Sequence, residues 1–283
     1  MKRQVVVSCA LLAACGASTP LPRPAAPTGK TVHFKLEITA VDWEVAPGAV
    51  YRALTYNRTL PGPVLEMNAG DTANIELTNH DSAPHSLHTH VSHFEVMADG
   101  HTQGVVPPGE TRSFQWRALY PGTFPYHDHA APAGEGSGVA AGLIGAVVVH
   151  DPAAQRAEHE NVVVLADLEP ARFVTRPALG HAFLHVINGR AYPSWTPHFA
   201  AKVGDRVRWR VVSIGSEFHT FHVHGHRWLS PDGAITDNIV LGPGMSSTLE
   251  WVEDAPGEWL YHCHVPDHMA GGMAGLYRVA AAK

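Results

Sequence analysis

The sequence predicts an all-β protein of two tandem sandwich-like units, and three observations carry that expectation. The first is an internal repeat at an offset of 134 to 135 residues. Gly70-Asp71 matches Gly204-Asp205, Pro108-Gly109 matches Pro243-Gly244, Trp116 matches Trp251, and Pro121-Gly122 matches Pro256-Gly257. Self-similarity at a fixed offset means two copies of one structural unit. The second is a series of short runs rich in Val, Ile, Thr and aromatics, at 31–38, 72–77, 111–116 and 143–149. Such runs read as strands, because branched and aromatic side chains suit a pleated surface. The third is punctuation by Pro61-Gly62-Pro63, Pro107-Pro108-Gly109 and Pro121-Gly122 at the spacing of a sandwich or barrel, with no long helical periodicity. A short irregular or helical piece is expected only around 134–138.

In chain order, the 283 residues open with a basic start (Lys2, Arg3), an apolar run at 5–14 and a Pro/Ala/Thr-rich stretch, which together make residues 1–29 a leader. The run is too short to span a bilayer as a stable helix and reads as a signal peptide. The expected location is therefore periplasmic or extracellular. Leu12-Ala13-Ala14-Cys15-Gly16 also resembles a bacterial lipobox, which would lipidate Cys15 and anchor the protein to a membrane. The alternative is a plain cleaved signal. The two units follow at 30–150 and 161–283, joined by the polar stretch 151–160. A net charge of −6 points to neither nucleic acid nor an anionic membrane surface as a partner. Beyond the leader, Cys263 is the one thiol.

Histidine is the unusual residue, with 21 in the chain. Four segments concentrate it: His88-Thr89-His90, His127-Asp128-His129, His219-x-x-His222-Val223-His224, and His262-Cys263-His264-x-x-x-His268-x-x-x-x-Met273. These segments also obey the repeat. Residues two apart on a strand share a face, so each His-x-His pair sets two imidazoles side by side. Four pairs supply eight imidazoles, too many for one metal ion and enough for three. A lone pair of this kind is weak support; four in matching positions of a duplicated unit are very hard to obtain by chance.

The same alternation turns Cys263 away from His262 and His264. It also turns His219 away from His222 and His224, so that Cys263 and His219 meet at a second site, close in sequence to His268 and Met273. Two His, one Cys thiolate and a weak Met define a blue-copper site, and the thioether favours copper over zinc. One peptide unit in either direction would then link the two sites, an arrangement suited to feeding single electrons into a cluster that reduces O2. Cys263, His262 and His264 thus head the catalytic set.

His85 is the repeat partner of His219, yet Asp128, Ala133 and Gly138 stand where Cys263, His268 and Met273 would be needed. The first unit is therefore expected to lack a blue site, and Asp128 is either a hydrogen-bonding relic of one or a proton-handling residue. Asp237 is a weaker candidate for a place just behind the metal ligands, where His226 is also expected. His33, His80, His93, His101, His150, His159, His181, His185 and His198 lack pairing and are read as ordinary hydrogen-bonded or surface residues.

The four segments resemble the copper signatures of multicopper oxidases, and with a blue site in the second unit alone the chain is similar to the two-domain small laccases of bacteria. The resemblance covers about residues 30 to 280 and implies two cupredoxin-like Greek-key sandwiches. It implies four coppers per functional unit. Type 1 copper would be held by His219, Cys263, His268 and Met273, and type 2 by His88 and His222. The type 3 pair would be held by His90, His127, His129, His224, His262 and His264. Val91 stands where laccases usually carry Gly, which touches loop shape rather than ligation. In small laccases the two half-sites come from neighbouring chains, so a cyclic homotrimer is implied, with O2 and a small aromatic or metal-ion reductant as reaction partners. Competing expectations are a copper nitrite reductase-like enzyme, whose blue site lies in its first domain, and an oxidase of Cu(I), Fe(II) or Mn(II). A zinc hydrolase leaves Cys263 unexplained. A copper carrier needs no eight-histidine cluster.

Overall fold

A computed structural model describes residues 23–91, 104–130, 138–176, 184–193, 195–230 and 233–282. Leader residues 1–22, with Cys9 and Cys15, together with His93, His101, Ala133 and His181, lie outside these residues. The first unit contains β1 (Thr31–Ala46), β2 (Ala49–Tyr56), β3 (Leu65–Asn68), β4 (Thr72–Asn79), β5 (His88–Thr89), β6 (Thr111–Arg117), β7 (Gly122–His127), a single-turn α1 (Gly138–Ala141) and β8 (Ile144–His150). Of the piece expected around 134–138, residues 134–137 lie outside the described residues, and α1 takes up from Gly138. One sheet runs β2-β1-β4-β6 and the other β3-β8-β7-β5.

The second unit repeats this plan with β9 (His159–Asp167), β10 (Phe173–Thr175), β11 (His185–Ile187), β12 (Phe199–Lys202), β13 (Arg206–Ile214), β14 (His219–Val223), β15 (Trp228–Leu229), β16 (Ile235–Thr236), β17 (Asn238–Leu241), β18 (Ser246–Val252), β19 (Gly257–His262), α2 (Pro266–Ala270) and β20 (Ala274–Ala280). Its sheets run β11-β9-β13-β18 and β12-β20-β19-β14-β17. The parallel pairs β1·β4 and β3·β8 of the first unit recur as β9·β13 and β12·β20 in the second. Parallel neighbours cannot be joined by a hairpin, so the chain crosses to the facing sheet between them. The duplication read from the sequence is therefore one of topology and register as well as motif.

Each sandwich closes on its own core. Leu36, Ile75, Leu77, Trp116 and Tyr126 are buried in the first, and Trp209, Phe221, Leu249, Tyr261 and Tyr277 in the second. Alternation along β4 (Ala73, Ile75 and Leu77 inward) shows why period-2 runs become strands here. A third apolar cluster, including Tyr51, Ala53, Ile144, Ala146, Val164, Val212 and Ile214, joins the two units. Strand β10 leaves the second unit to pair with β2 of the first. Arg210, buried, reaches Glu160 at 2.6 Å and Thr123 of the first unit at 3.3 Å. Apolar contact, strand exchange and the hydrogen bond from buried Arg210 to Thr123 together hold the units in one arrangement.

One fixture sets the site strands in both copies. Tyr126 precedes His127 and Tyr261 precedes His262; each ring lies flat against a glycine of the next strand. A Cβ at Gly145 would sit 2.1 Å from Tyr126 Cζ, and one at Gly275 would sit 2.3 Å from Tyr261 Cζ, so only glycine fits either place. The tyrosine hydroxyls donate to the carbonyls of Pro63 at 2.8 Å and Pro197 at 2.6 Å.

Candidate metal centres

The imidazoles converge across antiparallel ladders. His88 lies opposite His127 on β5 and β7, and His222 lies opposite His262 on β14 and β19. Directly opposed residues bring their side chains together on one face. In the first unit His88 packs against His90, His127 and His129, with ring centroids 5.2, 5.0 and 4.9 Å apart. In the second, His222 packs against His224, His262 and His264 at 5.1, 5.4 and 5.4 Å. These ring contacts run within each group of four, and each group opens outward: His90, His129, His224 and His264 are exposed.

Ring tautomers test whether these groups suit a metal. A ring nitrogen that donates to a carbonyl leaves the other as a lone-pair donor, the usual support of a metal-bound His. His127 Nδ1 meets its neighbour's carbonyl, that of Asp128, at 2.9 Å; His262 Nδ1 meets that of Cys263 at 2.8 Å; and His222 Nδ1 meets that of Asp237 at 2.6 Å. A carbonyl can only accept, so Nε2 of each carries the free lone pair. His262 Nε2 and His224 Nε2 face each other at 3.0 Å. Burial and the surrounding imidazoles press His127 down to about 4 and lower His262 and His224, so these rings are neutral at pH 7. Neutral, lone-pair-bearing imidazoles in threes fit a metal ion.

The second site is separate and buried. His219 Nδ1 and His268 Nδ1 approach to 3.1 Å, with Cys263 Sγ at 3.9 Å from the first and 3.7 Å from the second. Cys263 is fully buried and its sulfur faces this site, while its neighbour His264 is exposed. The far ring nitrogens are held by carboxylates. His268 Nε2 lies 3.0 Å from Glu217 Oε2, and His219 Nε2 lies 3.0 Å from Asp167 Oδ1, the latter a charge contact rather than a well-aimed hydrogen bond. Both Nδ1 atoms are thereby turned toward the sulfur. Met273 is buried beside them: its N–H donates to the His268 carbonyl and its own carbonyl accepts from Cys263 N–H, each at 3.0 Å. Two imidazole nitrogens and a thiolate with a methionine alongside are the donor set of a blue-copper centre. Burial raises the Cys263 thiol, but His219 and backbone N–H groups bring it below its ordinary value. Burial lowers His219, while Asp167 and Cys263 outweigh that and carry it up to about 9.

Several expectations are refined. Asp237 stands just behind the cluster, where its backbone carbonyl accepts from His222 Nδ1 at 2.6 Å. His226 does stand behind the cluster: Nδ1 meets the His224 carbonyl at 2.6 Å and Nε2 meets buried Glu253 at 2.9 Å. Asp128 is buried in contact with His85 at 2.8 Å. His150 and His159 are ordinary partners of Glu66 and Asp205.

His185 corrects its reading as an ordinary residue. It is buried and stacked on His268, ring centroids 3.8 Å apart and nearly parallel at 15°. With Asp167 and Glu217 it lines a cleft of about 500 Å³ beside the sulfur site. No sequence signal marks it, since its nearest site histidine lies 34 residues on.

Both halves match family models described as multicopper oxidase, over residues 37–154 and 164–283. A probable nitrite reductase-hydroxylamine oxidoreductase fusion protein of Kuenenia stuttgartiensis is 32% identical over 280 residues, 90% of this chain and 32% of that protein. The human ferroxidase HEPHL1 is 27% identical over 293 residues, 82% of this chain and 25% of that protein. The chain thus spans a third or less of the length of these curated relatives. A crystal structure described as a multicopper oxidase superposes with a TM-score of 0.77 at 25% identity, over 91% of this chain and 93% of the other; the fold is that of cupredoxins.

Since a metal can bind His219 only after its proton leaves, the raised value of about 9 sets a direction. Below that pH the apparent copper affinity of the Cys263 site falls as protons compete, and it rises toward a plateau above it. Titration of copper-free protein with Cu(II) at about pH 6 and about pH 8, followed by the blue band, is expected to show the tighter binding at the higher pH. An affinity independent of pH would exclude a protonated His219 in the free site.

Proposed function

This chain belongs to the multicopper oxidase family, and on that footing we propose that it is a laccase-like oxidase taking single electrons from phenolic or similar donors and reducing O2 to water. In this reading His219, Cys263, His268 and Met273 hold type 1 copper, and His88 and His222 hold type 2. His90, His127, His129, His224, His262 and His264 hold the type 3 pair, giving four coppers per functional unit. When bound, the coppers would supply one-electron chemistry and the binding and reduction of O2.

The observation that carries the proposal is the division of three consecutive residues between two donor sets: the Cys263 sulfur faces His219 and His268, while the imidazoles of His262 and His264 face His222. The backbone of 262–264 is the shortest covalent link between the sets, one peptide unit each way. Buried Trp209, Tyr261 and Phe221 exclude water behind it. A nitrite reductase-like reading, with its blue site in the first domain, is opposed by Asp128 at the place of the cysteine.

We also propose a homotrimer. Each group of four imidazoles is half of an eight-histidine cluster and lies open to solvent in the single chain. A head-to-tail contact between the first unit of one copy and the second unit of the next completes the cluster and closes a ring. The leader pattern further supports export to the periplasm or beyond, with a lipid anchor if Cys15 is modified.

Oxidation of a metal ion is a second reading, favoured by one feature. Glu217, half exposed, touches His268 Nε2 at 3.0 Å and His185 Nε2 at 3.5 Å, and Asp167 lies behind. Two carboxylates and an imidazole beside a type 1 ligand would hold a divalent cation such as Fe(II) or Mn(II) as substrate.

Three outcomes are expected. Cys263→Ser abolishes the blue band and O2 uptake while leaving the fold intact; a variant retaining both would remove the proposal. Sedimentation of the copper-loaded protein gives a trimer, and a fully loaded, active monomer would contradict it. Glu217→Gln lowers kcat/KM for Fe(II) by about 10- to 100-fold, about 1.4 to 2.8 kcal/mol, relative to a neutral phenol. Equal losses for both donors would discard the metal-ion reading and keep the phenol one.

A further inference from the structure

The duplicated frame permits an atom-by-atom comparison of the two copies around their second histidine pair. In the second unit, Thr220 N–H points at Cys263 Sγ at 3.4 Å, and Thr220 Oγ1 accepts the backbone N–H of His264 at 2.7 Å. In the first unit, Ser86 stands at the place of Thr220, and Asp128 at the place of Cys263. Ser86 N–H donates to Asp128 Oδ1 at 2.8 Å, and Ser86 Oγ accepts the backbone N–H of His129 at 2.8 Å. The hydroxyl clamp on the last histidine is therefore the same in both copies.

What the clamp leans on differs. In the second unit it leans on a sulfur whose partners, His219 and His268, would be joined to it through a metal. In the first it leans on a carboxylate that is already complete. Asp128 Oδ1 accepts from Ser86 N–H, from the Ser86 hydroxyl at 3.1 Å and from Ala130 N–H at 3.1 Å, and Oδ2 meets His85 Nδ1 at 2.8 Å. The other face of His85 meets Asp81 at 3.0 Å. Ser86, His85 and Asp128 are all buried. Gly138, at the place of Met273, presses so closely that a Cβ there would stand 2.1 Å from Asp128 Oδ2. No thioether, nor any side chain, fits that position. Hydrogen bonds to an ionised carboxylate are about twice as strong as neutral ones, and a buried charge stripped of its partners is strongly unfavourable.

We propose that Asp128, Ser86 and His85 form a metal-free lock in the place of a type 1 centre, and that the function of this lock is to position His129, and with it His127, as ligands of the trinuclear copper site. The proposal rests on reading those two histidines as copper ligands. Asp128 and Ser86 are positioning residues: neither reaches the imidazole tips, and they act through the backbone at 127–130. The hydroxyl both accepts from His129 N–H and donates to Asp128, so the direction of the ligand-bearing segment follows from where the carboxylate is held.

The test compares wild type, Ser86→Ala, Ser86→Thr and Asp128→Ala as full-length copper-loaded proteins. Readouts are copper per chain, the blue band of the type 1 site, the near-ultraviolet and EPR signatures of the type 3 pair, and copper retention against a chelator. Both alanine variants are expected to lose the type 3 signature and to retain cluster copper about 10- to 100-fold less well, the range for removing an outer-shell support, with the blue band undiminished. Ser86→Thr restores the wild-type signature, because the second unit uses threonine in that place. Full type 3 signals in both alanine variants would overturn the lock. A blue band lost in proportion, or a threonine variant as impaired as the alanine one, would also overturn it, since either means general damage rather than positioning. Wild-type protein that binds no cluster copper would instead sink the reading of the histidines on which the lock depends.

Discussion

Side chains alternate across a β-strand, and the donor groups of this molecule are placed by that alternation acting at two cross-strand pairs, His88 with His127 and His222 with His262. A slip of one residue in either ladder would turn its imidazoles to the other face, and in the second would turn Cys263 as well. The register is guarded from inside the sandwich. Tyr126 and Tyr261 immediately precede the downstream pairs, fit only against Gly145 and Gly275, and reach fixed proline carbonyls with their hydroxyls. Shifting the strand would drive a large ring out of a slot that accepts nothing else, which is how a close-packed core enforces position on an open site.

The same frame serves two chemistries in its two copies. The second unit gathers a sulfur and two imidazole nitrogens within 3.1 to 3.9 Å of one another, a donor set that suits a metal ion. Where the first gathers a carboxylate, an imidazole and a hydroxyl, donors and acceptors match and nothing further is needed. The distinction follows from Asp128 and Gly138 standing for Cys263 and Met273. Relatives sharing these domains carry names as different as ferroxidase and nitrite reductase. Around the second site of this chain stand Glu217, His185 and Asp167.

The interface between the units belongs to the same account. An apolar cluster, a strand exchanged from the second unit to the first, and buried Arg210 make the pair one body. The two groups of four imidazoles therefore sit on a rigid carrier, each facing outward, and the complement of each lies in another copy under the proposed assembly.

By itself the sequence determined the duplication, the β class and the four histidine pairs, because these depend on period, spacing and residue type alone. Strand parity even separated Cys263 from His262 and His264. It could not determine which carbonyl fixes each ring, such as that of Asp237 on His222. Nor could it mark His185, Asp167 and Glu217, which lie on different segments and meet only when β9, β11 and the turn before β14 pack together. Asp128 was visible as a substitution, but its closure by His85 and Ser86 needed residues 42 and 43 positions away. Local alternation is written in a strand's own residues; the company a side chain keeps across a sandwich is decided by tertiary packing, since contacts between distant segments leave no periodic trace in the chain.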